Sequence, residues 1–386
     1  MAGFPTLEDT ESPVRVLLVG AGEMGKRWLE TVRQSPDTEL VGLVDLDLGA
    51  AQEALRVAGA PEVPVGTRVA DLAGHSRAQA VINVTVPQAH HAVTTEALFH
   101  GLPVLSEKPL APTVSQGLSL AAAAEATGQL LMVSQSRRYY RRLAEFKRSV
   151  AALGRVGLVT TEFFKAPHFG GFRDEMEHPL LVDMAIHPFD VARYLLDAEP
   201  VAVYCEEFNP SWSWYAGAAA ATAVFELTGG IRYVYTGSWC SDGLQTSWNG
   251  SWRVSGEAGT VIWEGEDEPR ADIVTGKALP IDVPSGPDTP EDIAGSLAEF
   301  VASLRTGTLP SGVAHRNLLS LAMVEAAVTS AETKRRVAIA DVLAAALATA
   351  IENERVDSVR DVLERMAAAA DTLDALARRL LGARLE

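Results

Sequence analysis

The stretch from Val14 to Glu30 constrains this chain more than any other. An apolar run, Val14-Arg15-Val16-Leu17-Leu18-Val19, passes directly into Gly20-Ala21-Gly22-Glu23-Met24-Gly25 and then into a helical stretch through Lys26-Arg27-Trp28-Leu29-Glu30. Strand, glycine turn and helix in that order open a βαβ unit that holds a dinucleotide. Gly20 allows the tight turn, Gly22 lets backbone approach a pyrophosphate, and Gly25 permits close packing of helix on strand, with the anion at the helix N-terminus. Glu23 and Met24, inside the turn, join these glycines as candidate cofactor contacts. A lone glycine pattern is weak, but here a second apolar run, Glu39 to Val44, ends in Asp45, twenty residues beyond Gly25. A carboxylate there accepts hydrogen bonds from a ribose diol and repels a 2′-phosphate. The local run Asp45-Leu46-Asp47 has no Lys or Arg before Arg56, so the expected cofactor is NAD rather than NADP.

Strands and helices continue to alternate. Ala80 to Val84 reads as a buried strand ending at Thr85-Val86-Pro87, His90 to Phe99 as a helix, and Leu102 to Ser106 as a strand. A helix over 114–127 and a strand from Leu130 to Gln135 follow. This rhythm predicts a doubly wound parallel sheet in an α/β fold. The strand at Leu102 runs into Glu107-Lys108-Pro109. Open parallel sheets bind ligands at the carboxyl ends of their strands, which places Lys108 at a crevice edge, and Pro109 fixes φ behind it. Glu107, Thr85, Pro87 and His91 are cofactor-side candidates, with His90 the alternative to His91, since either neighbour can be the one facing inward.

The chain's 386 residues exceed the usual single-domain range. The expected division is a flexible arm over 1–12, a nucleotide-binding domain over 13–136, a second α/β domain over 137–340 and a helical extension over 341–386. In the second domain a helix near Leu180 to Leu196 is followed by strand-like runs separated by Thr228-Gly229-Gly230 and Gly256-Glu257-Ala258-Gly259, which predicts an open, mostly antiparallel sheet. In the extension Val359, Leu363, Met366, Ala370, Leu373, Ala377 and Leu380 form a heptad seam, fitting either self-association or a helix folded onto its own protomer. A net charge of −17 disfavours nucleic acid as a partner. Neither a membrane span nor a secretory signal is indicated, so a cytoplasmic chain is expected. Cys205 and Cys240 fit no metal or redox spacing, and no metal is expected.

The glycine fingerprint, Glu107-Lys108-Pro109 and Asp183-Met184-Ala185-Ile186-His187-Pro188-Phe189-Asp190 together resemble the Gfo/Idh/MocA oxidoreductase family. That family includes inositol and glucose dehydrogenases and glucose-fructose oxidoreductase. Val86-Pro87-Gln88-Ala89-His90-His91 and Ser330-Ala331-Glu332-Thr333 add to the resemblance, which covers roughly residues 13–340. It implies an NAD-dependent dehydrogenase acting on a secondary hydroxyl of a sugar or polyol. His187 becomes the acid/base, Lys108 a polarising or proton-transfer group, and Asp183 a catalytic or substrate-binding partner. Hydride removal from an alcohol needs a base for the hydroxyl proton and rigid placement of the carbinol hydrogen. On an α-helix Asp183 and His187, at i and i+4, share a face, while Asp190 fits a structural role.

Arg137 and Arg138 follow the last strand of the first domain, where the family often places substrate contacts. Trp239 belongs to a tryptophan group with Trp248 and Trp252 that can lie against a sugar face or fill the core. The segment containing Glu175-Met176-Glu177-His178 departs from the family's usual glycine-rich sequence, which leaves the substrate open. Rival readings are redox-neutral glycoside cleavage with bound NAD and a nucleotide-sensing regulatory protein. A homo-oligomer, dimer or tetramer, is expected from the open sheet face.

Overall fold

A computed structural model of the chain describes residues 3–274 and 289–368. The described residues divide into two compact units, the first comprising 3–136, 290–318 and 344–368, the second 137–274, 289 and 319–343.

The first unit is the doubly wound sheet that the alternation predicts. Its strands are β1 (Val14–Val19), β2 (Thr38–Val44), β3 (Val65–Gly66), β4 (Ala80–Asn83), β5 (Val104–Glu107) and β6 (Leu131–Ser134), all parallel, in the order β3-β2-β1-β4-β5-β6. The intervening helices are α1 (Glu23–Gln34), α2 (Leu48–Val57), α3 (Val69–Ala73), α4 (Pro87–Phe99) and α5 (Val114–Thr127). Leu17, Leu18, Val81, Ile82, Val104 and Leu105 are fully buried, as strands covered by helices on both faces must be. The order reverses between β1 and β4, and that switch point opens the crevice at the strands' carboxyl ends.

Two parts of this unit differ from the expected boundaries. Residues 3–12 are attached rather than loose: Phe4 is buried, and the Leu7 N–H donates to Leu304 O. The segment at 290–318, expected in the second domain, groups with the first. Its helix α8 (Asp292–Thr306) is tied to α1 by an Arg27–Asp292 ion pair at 3.0 Å, and the Val133 N–H donates to Gly312 O at 2.8 Å. β6 is the last strand of its sheet, and its unpaired edge is what this segment satisfies.

The second unit holds α6 (Arg141–Ala151), β7 (Val156–Phe164), α7 (Ile186–Leu196), β8 (Pro200–Phe208), β9 (Ala220–Leu227), β10 (Arg232–Ser238), β11 (Ser251–Gly256), β12 (Gly259–Trp263) and β13 (Arg270–Ile273). Later in the chain come α9 (Ala314–Thr333), which starts in the first unit, and the short strand β14 (Val337–Ala338). Eight strands form one sheet in the order β13-β12-β11-β7-β10-β9-β8-β14, antiparallel except for the β7–β10 pair. Phe163, Phe225, Tyr233, Tyr235 and Trp252 fill its covered side, against Phe189 of α7. The opposite face leaves Leu158, Tyr204, Phe208 and Val224 exposed.

The helix expected from Leu180 to Leu196 is in fact two pieces. Pro179–Met184 forms a π-helical turn, with the Ala185 N–H donating to Leu180 O at 2.8 Å, and α7 begins only at Ile186. Pro188 explains the break, because an α-helix needs its missing N–H for the Met184 carbonyl.

The extension consists of α10 (Ile339–Asn353) and α11 (Asp357–Ala368). α11 packs along α5, and Val359, Val362, Leu363 and Met366 are buried. Up to residue 368 the seam therefore folds onto its own protomer; Ala370, Leu373, Ala377 and Leu380 lie outside the described residues. Among the described residues no helix is long and apolar enough to cross a membrane. Leu363→Ala should cost about 2–5 kcal/mol of stability, measured by urea denaturation. The cost should not change with protein concentration; a concentration-dependent cost would put the seam between protomers.

Candidate active site

The glycine turn is built as its sequence requires. A Cβ on Gly25 would stand 2.1 Å from Gly20 O, so α1 approaches the turn more closely than any side chain permits. Gly20 itself adopts φ +107°, and a Cβ there would meet Val84 O at 2.7 Å. A Cβ on Gly22 would meet nothing within 4 Å. Gly22 therefore turns bare backbone to open space at the start of α1, where Glu23 and Met24 form the first turn, and this fits a pyrophosphate. Asp45, just past β2, closes the same corner: one carboxylate oxygen accepts from the Ala21 N–H at 2.7 Å and the other from the Asp47 N–H at 2.9 Å. Both bonds fix the carboxylate while leaving lone pairs for a ribose diol.

Across the switch point the turn after β4 is set by Asn83, whose side-chain oxygen accepts from the Thr85 N–H at 3.2 Å and the Thr85 hydroxyl at 2.7 Å. Pro87 starts α4, where a missing N–H costs nothing. Of the two histidines, His90 is the one turned inward. Its ring bridges Pro109 O at 2.7 Å and Thr85 O at 3.0 Å, and burial holds its pKa below the ordinary value. His90 thus joins the Thr85 turn to the backbone behind Lys108. His91 instead faces α5 and the extension, with Nε2 3.0 Å from the Ser119 hydroxyl, which donates to Glu354 at 2.5 Å.

Glu107 ends β5, and Lys108 follows it directly. The Glu107 carboxylate accepts from the Trp28 indole N–H at 2.8 Å and from the Lys108 backbone N–H at 3.1 Å. Burial raises its pKa, against the pull of the Trp28 bond and the Lys108 charge. The Lys108–Pro109 peptide is cis.

In the second unit Asp183 lies in the π-helical turn and His187 in the first turn of α7, so the expected single helical face is replaced by two differently wound turns. Asp183 accepts from Arg173 Nε at 2.7 Å. Asp190 is 1% exposed and holds Arg138 through two hydrogen bonds of 2.7 Å; it also accepts from the Ser320 hydroxyl, which accepts from Arg193. Arg138, expected to meet substrate, is thereby tied to a structural carboxylate. Arg137 is half-buried and reaches Met184 Sδ at 3.9 Å. Trp239 is a second correction, because it is 2% exposed and packs against Tyr215 and Phe169, so its ring offers no open platform. Trp248, 43% exposed with Lys165 over its ring, is the exposed member of the expected tryptophan group.

Sequence reasoning missed two partnerships. Trp28 read as one more residue of the helix after the glycines, although a lone indole amid Lys26, Arg27 and Glu30 was a signal of a buried face. The unusual Glu177-His178 pair belongs to an ionic cluster in which His178 Nδ1 lies 2.6 Å from the Glu207 carboxylate and Nε2 lies 3.6 Å from Glu332. The Glu207 bond raises the His178 pKa.

Comparison with known proteins bears on both units. The Gfo/Idh/MocA oxidoreductase family with an NAD-binding Rossmann fold matches residues 14–135, and the Gfo/Idh/MocA C-terminal domain matches residues 144–262. The uncharacterized protein y4oX of Sinorhizobium fredii is 30% identical over 64% of this chain and 72% of its own length. Inositol 2-dehydrogenase 4 of Saccharopolyspora erythraea is 34% identical over 49% of this chain, which spans 56% of that enzyme. An Agrobacterium radiobacter oxidoreductase, crystallised with NAD+, L-tartaric acid and magnesium, shares the fold with a TM-score of 0.74 at 20% identity, over 86% of this chain and 99% of that one. This chain belongs to the Gfo/Idh/MocA family of oxidoreductases, and residues 14–135 are its NAD-binding Rossmann domain.

Proposed function

We propose that the protein oxidises a secondary hydroxyl of a sugar, sugar derivative or polyol, reversibly, with NAD as the hydride acceptor. The observation that carries this reading is the end of β5, where Lys108 emerges from a strand whose last residue, Glu107, is half-buried and bonded on both oxygens. A lysine held so firmly at the carboxyl edge of a nucleotide-binding sheet suits a proton-handling or polarising group. The inositol dehydrogenase relative supports the substrate class.

NAD, when bound, accepts the hydride; everything else falls to the protein's own groups. The Gly20–Gly25 turn and Asp45 hold the dinucleotide. Lys108 polarises the substrate hydroxyl, and the His187 imidazole takes its proton. Asp183, kept in place by Arg173, orients the substrate or His187. We also read the exposed sheet face as a homo-oligomer interface, since Val224 lies between Tyr204 and Val234 in register and forms an apolar strip with Tyr204.

The first test is a panel of inositols, aldoses, glycosides and sugar acids, followed by absorbance of reduced nicotinamide. One sugar or polyol should reduce free NAD, and Lys108→Ala and His187→Ala should each lower kcat by about 100-fold or more. Tight NAD binding with no turnover on any panel member would move the reading to glycoside cleavage or regulatory binding. Asp45→Asn should weaken NAD by about tenfold and narrow its advantage over NADP in calorimetric titrations; an unchanged preference would remove Asp45 from cofactor selection. Val224→Asp should shift the protein to a smaller species in analytical ultracentrifugation, and an unchanged mass would place any interface elsewhere.

A further inference from the structure

We propose that Trp28 is a positioning residue for Lys108, acting through Glu107. The proposal rests on the reading of Lys108 given above, but its geometry lies wholly within the first unit. Trp28 is fully buried on α1, the helix whose first turn follows Gly22. Its indole N–H donates to one oxygen of Glu107 at 2.8 Å, and the other oxygen accepts from the Lys108 backbone N–H at 3.1 Å. The carboxylate is thus a two-ended clamp between the pyrophosphate-facing helix and the backbone from which Lys108 leaves the strand.

The clamp has little freedom at either end. Gly25 seats α1 against the Gly20 carbonyl, so the helix carrying Trp28 cannot withdraw without opening the glycine turn. Behind Lys108, His90 bridges to Pro109 O. A buried indole N–H normally needs an acceptor, and a buried carboxylate needs donors to keep its charge. Each group meets the other's need. The charged groups facing Glu107 are Lys108 on its own segment and Asp292 of α8, the latter paired with Arg27 of α1. Without the Trp28 donor, burial and Asp292 both favour a protonated Glu107, which weakens its bond to the Lys108 N–H and removes an anion beside the ammonium.

The test needs no substrate. The full-length protein and its Trp28→Phe, Glu107→Gln and double variants are pulsed with N-acetoxysuccinimide between pH 6 and 9, and acetylation of each lysine is followed by peptide mass spectrometry. Lys108 in both single variants should change its rate by about threefold or more, the effect of losing roughly one hydrogen bond. Its half-reactive pH should fall, and the double variant should go no further than Glu107→Gln alone. Lys26 and Lys147 should keep their native rates. A native Lys108 rate and pH profile in Trp28→Phe overturns the proposal. If Trp28→Phe does not fold, replacement of Trp28 by benzothienylalanine keeps the ring shape without the N–H and decides the question by the same criteria. Lys108→Ala that still reduces NAD at the native rate would sink the catalytic reading instead, leaving the acetylation result untouched.

Discussion

Everything in the first unit depends on how closely α1 lies against the glycine turn. The Gly25 Cα stands where a Cβ would be 2.1 Å from Gly20 O, a separation no alanine tolerates. That approach sets the height of α1 over β1, and with it three consequences. It leaves the Gly22 backbone facing open space, brings the Ala21 N–H to the Asp45 carboxylate, and carries the Trp28 indole to Glu107. Cofactor grip and lysine placement therefore share one steric cause.

The second unit is organised around a buried charge. Asp190 accepts two hydrogen bonds from Arg138 and one from Ser320, and Arg193 continues the chain to Glu199 at 2.6 Å. A buried ion pair is weak support for stability in itself, but removing one partner leaves a stranded charge at a large cost. These groups must therefore all be present together, and they join α7 to α9 and to the segment preceding α6. The turn that presents His187 is built on this foundation, with the π-helical step imposed by Pro188 immediately before it.

What could be read from sequence follows the range of the interactions responsible. Apolar strands, the glycine turn and Asp45 are local signals, set by periodicity or by backbone conformations that only glycine adopts readily, and the first unit matched them closely. The place of Lys108 just past β5 was legible for the same reason, because strand, Glu107 and Pro109 are contiguous. Arg138 and Trp239 were not, since their surroundings come from distant segments. Arg138 meets a carboxylate 52 residues away, and Trp239 is enclosed by Tyr215 and Phe169. A charged or aromatic side chain looks equally ready for a ligand or for a partner until the partner's position is known. His90 and His91 show the limit at its smallest scale, for adjacent residues on one helix point about 100° apart, and only packing tells which faces Thr85.

The extension makes the same point from the apolar side. A seam of Val359, Leu363 and Met366 can close on any apolar groove of matching pitch, in the same protomer or another. What decides between them is the demand of the other surface. α5 is buried along nearly its whole length, from Val114 through Leu118 and Leu120 to Ala124, and a helix apolar on most sides cannot be left with one face to water. α4 packs on one side of α5, and α11 lies along another. The bond from Ser119 on α5 to Glu354, just before α11, fixes the register of that cover, and Glu354 in turn faces His91 on α4. The heptad spacing in this part of the chain is thus the complement of α5: an intramolecular helix lid written in the periodicity of a coiled coil.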